Sequence, residues 1–122
     1  MEYGLWINGR WQAGSGTVDV ENPATGKTVA QVATAGEQEV NAAVAAAKAA
    51  FDDGRWSKAT PGERSGVLWK MADIIEARAD ELAKIETEDT GKPYEFISKG
   101  GDLPLVVDNL RFFATAARDT GG

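Results

Sequence analysis

The stretch Thr28-Val29-Ala30-Gln31-Val32-Ala33-Thr34-Ala35-Gly36-Glu37-Gln38-Glu39-Val40 holds the point at which this sequence changes its hydrophobic period. Thr28 to Val32 reads as a short β-strand. From Glu37 onward the apolar residues Val40, Ala43, Val44, Ala47 and Phe51 recur at helical spacing, and Asp53-Gly54 ends the run. The sequence therefore divides into a strand region, residues 1–35, and a helical region, residues 36–122.

Upstream of the switch, Leu5-Trp6-Ile7 and Arg10-Trp11 flank Asn8-Gly9, a strong two-residue hairpin turn. Gly14-Ser15-Gly16 makes a loop ahead of Val18 and Val20, which alternate with polar residues. Asn22-Pro23-Ala24-Thr25-Gly26 is a second turn cluster. These pieces predict a small antiparallel sheet of four short strands. Downstream, Thr60, Pro61 and Glu63 spell an N-cap, a first-turn proline and a capping-box acid. The apolar stripe Val67, Leu68, Met71, Ile74, Ile75, Leu82 and Ile85 follows, with a kink allowed near Arg78 and a stop at Gly91 and Pro93. A last helix is expected from near Asp102 and Pro104, carrying Val106, Val107, Leu110, Phe113 and Ala117, with Gly121-Gly122 after it. The predicted class is α/β, of α+β kind within this segment: short antiparallel strands, then three or four helices. The four tryptophans read as core or interface anchors.

Composition limits the chemistry. The chain has 122 residues, 43% of them hydrophobic and 26% charged, which suits a globular fold with a core. No apolar run approaches the roughly 20 residues that span a bilayer, and Met1-Glu2-Tyr3 does not open a secretory signal, so the expected address is cytoplasmic. A net charge of −6 with scattered basic residues argues against nucleic acid as a partner. Cysteine and histidine are both absent. That excludes disulfides, cysteine-based zinc sites and any Cys or His nucleophile or base in this sequence.

Two short motifs imitate phosphate loops. Gly26-Lys27-Thr28 matches the end of a P-loop, but Glu21 stands where the earlier glycine belongs, and a strand follows where a helix is needed. Gly14-x-Gly16 has Asp19 in place of the third glycine. Both are turns. Glu86 and Asp89, three apart on a helix, are either an acid–base or cation-binding pair or a solvated acidic patch. The Asp89 side chain can also cap the turn that follows. Asp108, with Phe112 one turn on and Phe113 beside it, is either an exposed acid opposite a buried stripe or part of a channel wall for a cationic substrate.

Taken in order, Leu5-Trp6-Ile7-Asn8-Gly9-Arg10-Trp11, Asn22-Pro23-Ala24-Thr25-Gly26, Phe51, Trp56 and Glu63-Arg64 resemble the aldehyde dehydrogenase superfamily. Glu86-x-x-Asp89-Thr90-Gly91-Lys92-Pro93 and Leu110-Arg111-Phe112-Phe113-Ala114 continue the match across the whole chain. The resemblance implies the N-terminal part of a coenzyme-binding domain. Residues 101–113 look most like the aminobutyraldehyde and betaine aldehyde dehydrogenase branch. By that likeness Asp108, Phe112 and Phe113 border a substrate tunnel, while Asp102 caps its helix. Val20, Glu21 and Asp89 match positions holding a monovalent cation, K+ or Na+, through carbonyls and a carboxylate.

The implied reaction is NAD- or NADP-dependent oxidation of a small, amino-bearing aldehyde to a carboxylate by a homo-oligomeric parent enzyme. A Cys thiolate attacks, amides hold the oxyanion, hydride leaves to nicotinamide, and a Glu activates water. No residue of this chain matches those steps, so the chain is expected to be an incomplete segment, inactive and without its own cofactor. The alternative is a self-contained interaction or scaffold protein with this architecture and no catalysis. In either case its apolar helix faces favour self-association.

Overall fold

A computed structural model describes residues 2–119. The chain forms two compact units, residues 1–58 and 59–122. The first holds five strands and one helix: β1 (Glu2–Tyr3), β2 (Leu5–Ile7), β3 (Arg10–Gln12), β4 (Gly16–Asn22), β5 (Lys27–Thr34) and α1 (Glu37–Asp52). Asn8 and Gly9 both have positive φ, 52° and 76°, as the expected hairpin turn requires, and Trp6 faces Trp11 across the β2–β3 ladder. At the second turn the Asn22 side chain accepts from the Ala24 N–H at 2.9 Å, and the Gly26 N–H donates to the Asn22 carbonyl at 2.8 Å. This brings β4 antiparallel to β5, with a register shift between Val20 and Glu21.

The expectation of one antiparallel sheet needs correction. β2 and β3 form their own two-stranded sheet, and β1, absent from the sequence reading, pairs parallel with β5 in the order β1-β5-β4. Gly4 separates the two sheets, and a Cβ there would stand 2.6 Å from the Gln12 carbonyl oxygen. The helix α1 starts where the period change placed it. The Gly36 N–H donates to the Glu39 carboxylate at 2.7 Å, and Gly54 (φ 81°) lies just beyond its end.

The second unit is helical: α2 (Pro61–Ala77), α3 (Ala79–Thr90), a π-helical segment (Tyr94–Asp102) and α4 (Leu103–Ala116). The capping box forms as read. The Glu63 N–H donates to Thr60 Oγ1 at 3.3 Å, and the Thr60 N–H donates to Glu63 Oε2 at 2.7 Å. The allowed kink is a true break, with Arg78 leaving helical geometry at φ −110° and ψ 18°. Gly91 (φ 75°) then terminates α3. Gly121 and Gly122, read as following the last helix, lie outside the described residues.

Which side chains are buried departs from the sequence reading. Ser65, Ala72, Ala83 and Ala114 are sealed, together with Val107 and Ser98. The large apolar residues Val67, Met71, Ile74, Ile85, Val106 and Phe113 remain exposed. Small residues let α2 and α4 approach closely, so several bulkier members of the predicted stripes point outward, while Val107 is buried and Leu68, Ile75, Leu82 and Leu110 are half-buried. All four tryptophans are exposed as well, so none is a core anchor.

Candidate functional site

Asp108 sits on α4 in a hollow of about 300 Å³, within the second unit, together with Glu76, Lys99, Leu103, Val107 and Arg111. Leu103 and Val107 supply an apolar floor, and the four charged groups stand around it. Three of the four, Glu76, Lys99 and Arg111, are already paired. Arg111 donates to Glu76 Oε2 at 2.6 Å and to Asp73 Oδ1 at 3.1 Å, and its guanidinium lies 5.6 Å from the Trp69 ring centroid. Hydrogen bonds to Glu76 and Asp73 hold the Arg111 pKa above its ordinary value. Its Nε is buried without a hydrogen-bond partner among the described residues. Lys99 lies 2.8 Å from Asp80 Oδ1 and 5.7 Å from the Tyr94 ring centroid. The Lys99 hydrogen bond draws the Asp80 carboxyl below the usual carboxylate range. Asp108 is itself exposed, as the first of its two readings expected, and makes no hydrogen bond or ion pair to the described residues. A hollow with one unpaired carboxylate over an apolar floor suits a small cation with an aliphatic body.

The structure does not bring Phe112 and Phe113 into this lining. Their rings pack edge to face at 5.3 Å, and the side chains are 63% and 59% exposed. Phe112 lies one turn beyond Asp108 on the same helix. Sequence reasoning missed Lys99, Glu76 and Arg111. Arg111 meets Glu76 across 35 residues of chain, and nothing local announces that contact.

In the acidic pair, Glu86 accepts from Lys92 Nζ at 2.9 Å and forms an ion pair with it. The turn after α3 is held by Thr90 rather than Asp89. Thr90 Oγ1 donates to the Glu86 carbonyl at 2.7 Å and accepts from the Lys92 N–H at 3.3 Å. Asp102 does not cap α4 either: it has helical φ and ψ of −65° and −47° and makes no capping bond, because the π-helical segment runs straight into α4. It takes a hydrogen bond from Lys92 Nζ at 2.6 Å instead. Val20 and Glu21 stand in β4 at the register shift of the first unit, and Asp89 is exposed in the last turn of α3 in the second. Among the described residues no group of three acids, histidines or cysteines could hold a metal ion. Likewise no helix is long and apolar enough to cross a membrane.

The Lys92 pair gives a pH prediction. The bond from Lys92 holds the Asp102 carboxyl below its ordinary pKa, and the bonds to Asp102 and Glu86 raise that of Lys92. Asp102 therefore stabilises the fold above its unfolded pKa and loses that contribution as pH falls through the depressed value. Lys92 contributes below its ordinary pKa and loses that as pH rises through the raised one. Lys92→Met should lower the thermal midpoint modestly near neutral pH, and its gap from wild type should close in acid below the normal carboxylate range. A gap independent of pH would show that the pair does not contribute.

The sequence matches the aldehyde dehydrogenase family over residues 11–122. An aminoacetaldehyde dehydrogenase of Pseudomonas aeruginosa is 43% identical over 101 residues, which are 83% of this chain and 20% of that protein. A solved gamma-glutamyl-gamma-aminobutyraldehyde dehydrogenase of Burkholderia cenocepacia superposes with a TM-score of 0.94 at 37% identity, covering 100% of this chain and 25% of that one. The NAD+ complex of an aldehyde dehydrogenase from Bacillus cereus gives a TM-score of 0.93 at 36% identity, covering 100% and 25%. The chain thus spans a quarter or less of the length of these relatives. The family match covers nearly the whole sequence, and the chain belongs to the aldehyde dehydrogenase family.

Proposed function

We propose that this chain serves as the N-terminal portion of an NAD(P)-dependent aldehyde dehydrogenase that oxidises a small, amino-bearing aldehyde, and that it is inactive alone. The observation that carries this reading is chemical. The family match runs along the chain, yet the sequence contains neither cysteine nor histidine. The thiolate that attacks the aldehyde and the glutamate that activates water match nothing among these residues.

Within that enzyme, Asp108 would hold the substrate's ammonium group, with Phe112 and Phe113 at the approach. The unpaired state of Asp108 beside the neutralised Arg111 and Lys99 supports this role. In an enzyme that carries this chain as its N-terminal part, Asp108→Ala should raise KM for an amino aldehyde about tenfold or more, as loss of one charge-assisted contact does. KM for a neutral aldehyde of equal length should change little. An unchanged preference between the two would remove Asp108 from substrate recognition.

The carbonyls of Val20 and Glu21 and the Asp89 carboxylate are oxygen donors of the kind a monovalent cation takes, and we retain them as candidate ligands. The parent enzyme is proposed to be a homo-oligomer. A second reading, an interaction module without catalysis, draws support from the uncovered apolar side chains, among them Val67, Met71 and Ile74 at helical spacing on α2. Under that reading the purified chain sediments as a discrete, concentration-dependent oligomer with cooperative unfolding. Under the first it keeps its fold but binds apolar dye through the uncovered helix faces and associates without a fixed stoichiometry.

A further inference from the structure

Asn8 stands at the exposed tip of the β2–β3 hairpin with a glycine after it. No neighbouring heavy atom comes within 4 Å of where a Cβ on Gly9 would lie. The Asn8 carboxamide makes no hydrogen bond to the described residues. The other three asparagines are in different positions. Asn22 precedes Pro23, which has no N–H, and its Oδ1 is engaged by the Ala24 N–H at 2.9 Å. Asn41 and Asn109 lie inside α1 and α4, where the helical backbone is hydrogen-bonded and its geometry fixed.

We propose that Asn8 is a site of spontaneous deamidation that changes the hairpin. The Gly9 amide nitrogen, having lost its proton to solvent base, attacks Asn8 Cγ. A bond forms between that nitrogen and Cγ, the Cγ–Nδ2 bond breaks, and ammonia leaves with a proton from water. Water then opens the resulting succinimide at either carbonyl, giving aspartate or isoaspartate at position 8. Nothing is oxidised or reduced. Asn8 is held at φ 52° in the closed turn, and ring closure proceeds when the hairpin opens and frees that torsion. Two strands of three residues each are marginal on their own, which favours that opening.

The two products differ in consequence. Aspartate keeps the turn, because Asp-Gly favours the same conformation. Its new carboxylate adds a negative charge at the rim residue of a hollow of about 380 Å³ that Asn8 lines with Trp6, Ala43, Ala47 and Arg55 within the first unit. Isoaspartate inserts a methylene into the backbone at the turn. That shifts the pairing of Trp6 with Trp11 and breaks their edge-to-face contact at 5.1 Å.

The test is to hold the purified chain at mildly alkaline pH, natively folded and in urea, and to follow each asparagine by peptide mapping. The expected result is loss of the amide at Asn8 while Asn22, Asn41 and Asn109 stay amidated in the native sample, with faster loss in urea. The coupled tryptophan circular-dichroism band should decline with the isoaspartate fraction and persist in Asn8→Asp. An Asn8 amide as durable as those of Asn41 and Asn109 in the native sample would overturn the proposal. So would loss confined to urea, and so would a tryptophan band that survives isoaspartate formation.

Discussion

Gly100→Ala is expected to unwind the π-helical segment and lower the stability of the second unit by about 2–3 kcal/mol, near the upper end of ordinary single substitutions. A Cβ at position 100 would stand 2.6 Å from the Glu95 carbonyl oxygen, a backbone atom that cannot turn aside. The wide turn depends on bonds spanning five residues: Ser98 N–H to the Pro93 carbonyl at 3.2 Å, and Leu103 N–H to the Ser98 carbonyl. Relieving the clash by tightening the turn would move Ser98, which is fully buried and accepts from Thr87 Oγ1 at 3.3 Å. It would also rotate the start of α4, and with it Asp108. Gly101→Ala is the control, since a Cβ there meets only the Phe96 carbonyl oxygen at 3.4 Å, an ordinary contact. Thermal unfolding and amide exchange at residues 98–103 distinguish the outcomes. Equal, small shifts for the two variants would mean that the π geometry is not needed.

The elements that were legible in advance are those whose cause is local. Asn8-Gly9 dictates its turn by backbone preference, and Thr60, Pro61 and Glu63 write the start of α2 in four consecutive residues. The family likeness rests on the same kind of signal, short motifs in a fixed order. The π-helical segment was not legible, because what holds it is non-local: Thr87 with Ser98, and Lys92 with Asp102. The parallel pairing of β1 with β5 joins Glu2 to Gln31, beyond the reach of any turn rule.

Burial was misread for a physical reason. Apolar size suggested that Val67, Met71, Ile74 and the tryptophans would be inside, yet α2 and α4 pack through Ser65, Ala72, Ala114 and Val107. Close helix approach favours small side chains, and the large ones are left for whatever covers the opposite faces. At the candidate site the chemistry of Asp108 left two readings open and the family likeness put it forward, while its surroundings came from tertiary contact. Arg111 was quoted only as part of a motif, and its clamp on Glu76 and Asp73 explains why Asp108 is the carboxylate left unpaired.

The other large effect concerns catalysis, where complete loss is expected. Aldehyde oxidation in this family's manner needs a nucleophile that forms a covalent adduct before hydride can leave. Hydroxyls are present here, but with no histidine to take their proton, and Arg111, which lines the same hollow as Asp108, is tied to two carboxylates. The two glycine turns that resemble phosphate loops lead into strands, so neither presents a helix N-terminus to a dinucleotide. The most direct measurement is nicotinamide reduction by the purified 122-residue chain, given NAD+ or NADP+ and either an amino aldehyde or its neutral analogue. The account predicts a rate no greater than the protein-free blank with every pair. Saturable, aldehyde-dependent turnover that follows the protein through purification would contradict it.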